Sequence, residues 1–584
     1  MRGFFKTFFA ALLALIVFVA VLFLIILGVT SAVLSPSKPE VGGKAMLLVD
    51  LGVTYKEQVQ DNPFSGISSE DEYDVPGLYD LVRLIRHAKE DTAIHGIYLK
   101  CNSDPNGFAS NEEIRHALAD FKKSGKFIYA YGDMIPQKAY YVAGVANKIY
   151  CNPKGIVEWK GFATEMLYLK GALQKLEIEP QIFYAGKFKS ATEPLREDRM
   201  TAANRLQLTE LLGDFYNRLL LSTAEARGLD TAVLRRCANE NLIRHAKDAL
   251  EYKLVDGLRY DDEVKDELRD RLKLDKHAYI NFIPLGKYAK AVDFKTSGKD
   301  KISLIYAEGE VVDGKGERDE IGSDTYRWLI RRARFDKDVK AIVLRVNSGG
   351  GSSLASENIW REITLARKEK PLVISFGDVA ASGAYYLSCN ADSIFALPGT
   401  ITGSIGVFTI IPNLQGFFKD KLGVTFDGVK TAPEADEMTV TRPLSPTERA
   451  MIQSDVDTIY HDFKSRVAYG RNKPIDYIDS IAQGRVWSGT TGLSLGLVDR
   501  IGTLQDAIDC AARMAKTGDY RLVEYPEPKS FLDRILGSYK RSMSTKAMKD
   551  EIGEDGYRTF TTLKKVRAMV GITQTRLPFD LVIE

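Results

Sequence analysis

The run Ile97-Tyr98-Leu99-Lys100-Cys101-Asn102-Ser103 reappears 245 residues later as Ile342-Val343-Leu344-Arg345-Val346-Asn347-Ser348. The register does not drift. Gly132-Asp133 with Ala139-Tyr140-Tyr141 aligns with Gly377-Asp378 and Ala384-Tyr385-Tyr386 at the same spacing, and Ile149-Tyr150 with Pro153 aligns with Ile394-Phe395 and Pro398. A chain that repeats must build one supersecondary unit twice and pack the copies, so this match constrains the fold more than any single motif. It predicts a first repeat over residues 44–285, a linker over 286–300, a second repeat over 301–530 and a tail over 531–584.

Inside each copy, apolar and β-branched runs alternate with helical spacing. Lys301–Tyr306, Ala341–Val346 and Leu372–Phe376 predict buried strands, and Thr325–Phe335 and Ser353–Lys368 predict helices between them. Strand–helix alternation predicts an α/β fold with parallel sheets and helices packed outside. Thr201–Glu225 and Ser445–Gly470 each open on a hydroxyl N-cap and predict long helices at equivalent places in the two copies.

Ahead of the repeats, Phe8–Val33 is an uninterrupted apolar run behind Arg2 and Lys6. A helix of that length covers about 39 Å, more than the roughly 30 Å of a hydrocarbon core. The run predicts a transmembrane anchor with residues 1–7 on the cytoplasmic side and the body outside. The competing reading is a cleaved signal peptide, with Thr30-Ser31-Ala32 as a weak cleavage site. Lys+Arg 80 against Asp+Glu 78 gives no excess charge for nucleic acid. The cysteines at 101, 151, 237, 389 and 510 show neither metal-ligand spacing nor a disulfide framework.

Chemistry concentrates in the second copy. Asn347-Ser348-Gly349-Gly350-Gly351-Ser352 joins a strand to a helix, where glycine N–H groups serve either a tight turn or an oxyanion. Ser382 in Ala380-Ala381-Ser382-Gly383-Ala384 is a nucleophile candidate or a small residue for helix packing. Thr402-Gly403-Ser404-Ile405-Gly406 is a third glycine-bracketed turn. At the matched positions the first copy has Gln137 for Ser382, Trp159 for Ser404 and Asp104-Pro105-Asn106-Gly107 for the glycines. The contrast fits a functional site in one copy and a degenerate one in the other.

No histidine falls between 278 and 460, so a serine base must come from elsewhere. Lys189, in Gly186-Lys187-Phe188-Lys189-Ser190-Ala191-Thr192-Glu193-Pro194, is the candidate, and a surface lysine is the alternative. A lysine base must be neutral, yet only about 0.1% of an ordinary lysine is neutral near pH 7. Burial must supply the difference.

These motifs together resemble the signal peptide peptidase A family, membrane-anchored serine peptidases of bacteria, in its long tandem form. The resemblance runs over nearly the whole chain and implies crotonase- or Clp-protease-like repeats. It implies Ser382 as nucleophile, Lys189 as general base, Ser404 as the residue orienting the lysine, and N–H groups of Gly350 or Gly351 and of Gly383 as the oxyanion hole. The family has proline where this chain has Gly349, which leaves the donating glycine open. Also implied are peptide substrates, cleaved signal peptides above all, and a membrane-facing homo-oligomer, a tetramer in the tandem form. The location implied is the bacterial inner membrane with the body periplasmic; neither metal nor organic cofactor is implied. A crotonase-type acyl-coenzyme A enzyme, an inactive scaffold and a histidine-based Clp-type protease served by His116 or His245 are the rival readings.

Overall fold

The computed structural model describes residues 2–34, 38–59, 75–317, 319–527 and 573–576, with 553 and 571 singly. In the first repeat, β1 (Ala45–Asp50), β2 (Ile94–Lys100), β3 (Phe127–Ile135) and β4 (Lys148–Val157) are followed by β5 (Glu179–Ala185), β6 (Gly257–Leu258) and β7 (Phe282–Pro284). All but β5 form one parallel sheet in the order β6-β4-β3-β2-β1-β7. Helices Leu78–Glu90 and Phe108–Lys122 bury one apolar face against it, with Leu81, Leu84, Ile85, Ile114, Leu118 and Phe121 inside. Burial of each such side chain stabilises by roughly 1.5–3 kcal/mol, so the sheet and its helices form one cooperative core.

The second repeat opens with β8 (Asp300–Glu308), β9 (Glu310–Val312), β10 (Glu320–Gly322), β11 (Val339–Ser348), β12 (Gly350–Ser352) and β13 (Leu372–Ala381). It continues with β14 (Ser393–Ala396), β15 (Ile401–Gly403), β16 (Val407–Asn413), β17 (Val486–Ser488), β18 (Arg500–Ile501) and β19 (Tyr520–Tyr525). The main sheet runs β17-β15-β13-β11-β8-β19, with β14 between β13 and β18. Elements recur in register: helix Leu78–Glu90 returns as Ser323–Phe335, Phe108–Lys122 as Ser353–Arg367, and the start of β3 as the start of β13. Both long helices form behind the expected caps. Thr201 Oγ1 accepts from Asn204 N ahead of Ala202–Arg227, and Ser445 Oγ accepts from Glu448 N ahead of Pro446–Arg471.

A further sheet joins the copies. Its order is β10-β9-β12-β20-β16-β5, where β20 is Gln574–Arg576. Strand β5, first-repeat sequence, pairs antiparallel with β16 over seven residues, from Val407↔Ala185 to Asn413↔Glu179. Strand β20 comes from the expected tail, most of which lies outside the described residues. The expected linker 286–300 opens inside helix Leu285–Ala291, whose Tyr288 is buried and donates its hydroxyl to Asp91. That helix packs onto the first sheet and so belongs with the first repeat.

Charged groups also cross between the copies inside the fold. Arg345 of β11, 1% exposed, bonds Glu57 Oε2 at 3.0 Å and Glu113 Oε1 at 3.3 Å. Burial pushes both carboxyls above their ordinary range against the pull of Arg345. Asp378 accepts from Ser110 N and Oγ, and Glu112 Oε2 accepts from Gly399 N. All five cysteines are buried free thiols.

The N-terminal run lies in helix Arg2–Leu34. Among the described residues no helix is long and apolar enough to cross a membrane. The expected span runs past position 21, and from 22 to 34 the side chains of this helix lie outside the described residues.

Candidate active site

Ser382 follows β13 and precedes helix Gly383–Ser388 in an uncommon backbone conformation, φ 56 and ψ −118. Positive φ is costly for a residue with a Cβ and persists only where the surroundings enforce it. Here Ser382 N donates to Gly403 O at 2.8 Å, and Ser382 O accepts from Tyr386 N at 2.8 Å. The β13–β15 pairing thus fixes the turn. Ser404, after β15, is also at positive φ (51), with its N–H on Arg485 O.

Lys189 reaches these serines from the first repeat. Because β5 pairs with β16, the turn after β5 lies over the end of β15. Gly186 carries the chain through φ 111, and Lys189 N donates to Gly186 O at 3.1 Å. Lys189 Nζ lies 2.8 Å from Ser382 Oγ, 3.0 Å from Ser404 Oγ and 3.2 Å from Ser404 O. Sequence left open whether lysine and serine meet within one chain; in the structure they do.

The ammonium form has little to hold it. Lys189 is 1% exposed and both serines are fully buried. Burial alone drives the amine well below the ordinary lysine range, with no carboxylate opposing it. A neutral amine has two N–H groups and one lone pair, and the site offers three partners. Ser404 O and Oγ can accept both N–H groups, which turns the lone pair toward the Ser382 hydroxyl. The arrangement is therefore chemically able to take a proton from Ser382.

Of the glycines, Gly350 (φ 92) donates its N–H to Ser348 Oγ at 3.1 Å. Its amide is thus already engaged, and Gly351 is paired with Val311 of β9 and with Thr575 of β20. Gly383 is the first residue of a helix and its N–H has no intrahelical partner. A Cβ on Gly350 would lie 2.6 Å from Gly383 N, so only glycine lets these two loops close together.

The matched positions of the first copy are filled. Gln137 donates Nε2 to Gly161 O and accepts from Lys160 N and Gly161 N. Trp159 is buried with Nε1 on Leu234 O, and Asn106 binds Leu51 O and Val53 O. These side chains hold loops together where the second copy keeps its serines and glycines.

Sequence reasoning missed the braces. Gln207 Nε2 ties Phe188 O and Ser190 Oγ, and buried Glu193 accepts from Thr201 Oγ1 and Asn204 Nδ2. Gly484 (φ 74) was also missed: a Cβ there would sit 2.7 Å from both Lys189 N and Lys189 Cβ. Gly484→Ala is expected to lower kcat/KM by about 10–100-fold through displacement of the amine by a fraction of an ångström. Unchanged kcat/KM would show that Lys189 tolerates the shift.

The sequence model of "Peptidase family S49" matches twice, over residues 120–275 and 364–518. "Protease 4" of Salmonella typhi is 35% identical over 542 residues, 89% of this chain and 87% of its own. "Protease 4" of Haemophilus influenzae is 35% identical over 75% of this chain and 72% of its own. "Serine protease SPPA, chloroplastic" of Arabidopsis thaliana is 33% identical over 78% and 69%.

Proposed function

For a chain that belongs to peptidase family S49 and is a serine-type peptidase, we propose that Ser382 is the nucleophile and neutral Lys189 its general base. The observation that carries this reading is the buried Lys189 Nζ, 2.8 Å from Ser382 Oγ with no acid beside it. Lys189 takes the hydroxyl proton as Ser382 Oγ attacks a peptide carbonyl carbon. The oxyanion is held by the N–H groups of Gly350 or Gly351 and of Gly383. Lys189 then protonates the leaving amine, and the C–N bond breaks to leave a serine ester. Water, deprotonated by the same amine, adds to the ester and releases the acid. Ser404 keeps the lone pair aimed at Ser382 whenever the amine is neutral. All of this uses groups of one chain.

The finer reading follows the family resemblance. Each repeat is crotonase- or Clp-protease-like, Phe8–Val33 anchors the chain in the inner membrane of a bacterium, and the body works on the periplasmic side. Remnant signal peptides and misfolded polypeptides are the substrates, and the chain assembles as a homo-oligomer, a tetramer. The apolar side chains Phe8, Phe9, Leu12, Leu13, Ile16 and Phe18, exposed on helix Arg2–Leu34, support the anchor. The filled first-copy site supports a single reactive serine.

The test is covalent. A fluorophosphonate is expected to label Ser382 and no other residue, mapped by mass spectrometry. Its rate should fall as pH drops through a value below the ordinary lysine range, because protonation of Lys189 removes the base. Label on another serine, or a limb at the ordinary lysine value of about 10.4, would refute the dyad.

A further inference from the structure

Strand β20 lies in the sheet between β12, which carries Gly350 and Gly351, and β16. It is antiparallel to both, in the register Gly350↔Arg576, Gly351↔Thr575, Ser352↔Gln574 and Phe408↔Gln574. An extended segment held this way makes ladder bonds that any sequence can make, so selectivity falls to its side chains.

Two features fix how the segment sits. The first is the Thr575 carbonyl oxygen, which faces the glycines. A Cβ on Gly350 would lie 2.1 Å from it and one on Gly383 2.9 Å. Thr575 itself is buried, and its Oγ1 donates to Gly351 O at 3.1 Å. The second is the next residue: Arg576 Nη1 lies 2.8 Å from Glu310 Oε1 of β9, with side chains 17% and 31% exposed. A small hydroxyl side chain therefore sits beside the glycines, and a cation follows it onto a carboxylate.

We propose that the groove between β12 and β16 binds peptides as an added antiparallel strand and that Glu310 is a specificity-determining residue. Glu310 selects a basic side chain on the residue after the one whose carbonyl faces Gly350 and Gly383. Gln574-Thr575-Arg576 is a resident segment that fits this rule. The inference rests on the Ser382/Lys189 reading, under which that basic residue becomes the first of the leaving fragment. A peptide with an acid there meets Glu310 as a like charge and is disfavoured.

Two internally quenched peptides test this with the full chain, identical except for Gln-Thr-Arg in one and Gln-Thr-Glu in the other. Wild type is expected to favour the arginine peptide in kcat/KM by about two- to five-fold, the reach of a partly exposed ion pair. Glu310→Lys should reverse the order, and a ratio that Glu310→Lys leaves unchanged would overturn the proposal. Should wild type cut neither peptide, the hydrolase reading fails and binding decides the groove by itself. In Ser382→Ala protein, hydrogen exchange at 574–576 should quicken with Glu310→Lys and slow again with Glu310→Lys plus Arg576→Glu. Exchange indifferent to that charge swap would sink the proposed pairing.

Discussion

Lys189→Met is expected to lower kcat for peptide hydrolysis by roughly 10²–10⁴-fold, the range for removal of a general base. Methionine suits the test because it is unbranched, uncharged and of similar length. The same variant should be more stable than wild type near neutral pH. In the unfolded chain Lys189 takes up a proton below about 10.4, whereas in the fold burial keeps the amine neutral. Proton uptake on unfolding therefore favours the unfolded state increasingly as pH falls from about that value to the lowered value in the fold, and fully below it. Methionine removes this drain. A Lys189→Met protein that keeps its activity would end the role of Lys189 as base. One that loses both activity and stability would point to a structural lysine.

Arg345→Met is expected to destabilise the chain by about 3–5 kcal/mol at pH 8, the cost of stripping one partner from a buried charge cluster. Glu57 and Glu113 then have no cation, and neither is solvent-exposed. The sign of the pH dependence follows. Both carboxyls already titrate above their ordinary range in the fold, and loss of Arg345 raises them further. Stability of the variant should fall as pH rises above about 4.3, where the unfolded glutamates ionise, and recover on acidification. Glu57→Gln with Glu113→Gln in the Arg345→Met background should restore much of the loss. Denaturant midpoints at pH 5 and pH 8 read all of this, and an unshifted midpoint at pH 8 would show that the cluster does not hold the repeats together.

The duplicated unit was legible because strands and helices recur without insertions between Ile97 and Pro398, so residues alone carried the register. Ser382 and Ser404 stood out because Gln137 and Trp159 stand opposite them, whereas Lys189 read alone as a surface lysine and took its role as base from the resemblance. What sequence withheld was long-range pairing. Nothing in Glu179–Ala185 says that it leaves its own sheet for β16, because strand partners are chosen by tertiary packing rather than by local propensity. Three residues at 574–576 carry no periodicity at all, so the tail concealed a strand. The lysine-rich segment after 285 looked like a linker because its buried anchors are few, Leu285 and Tyr288. Gly484 was invisible for a similar reason: its neighbour Lys189 lies 295 positions away in the chain.

The seven-residue zip of β5 against β16 also bears on how the reactive pair comes into being. Base and nucleophile are carried on one polypeptide, so their encounter is a first-order step of folding with an effective molarity set by the intervening chain. Dilution cannot part them.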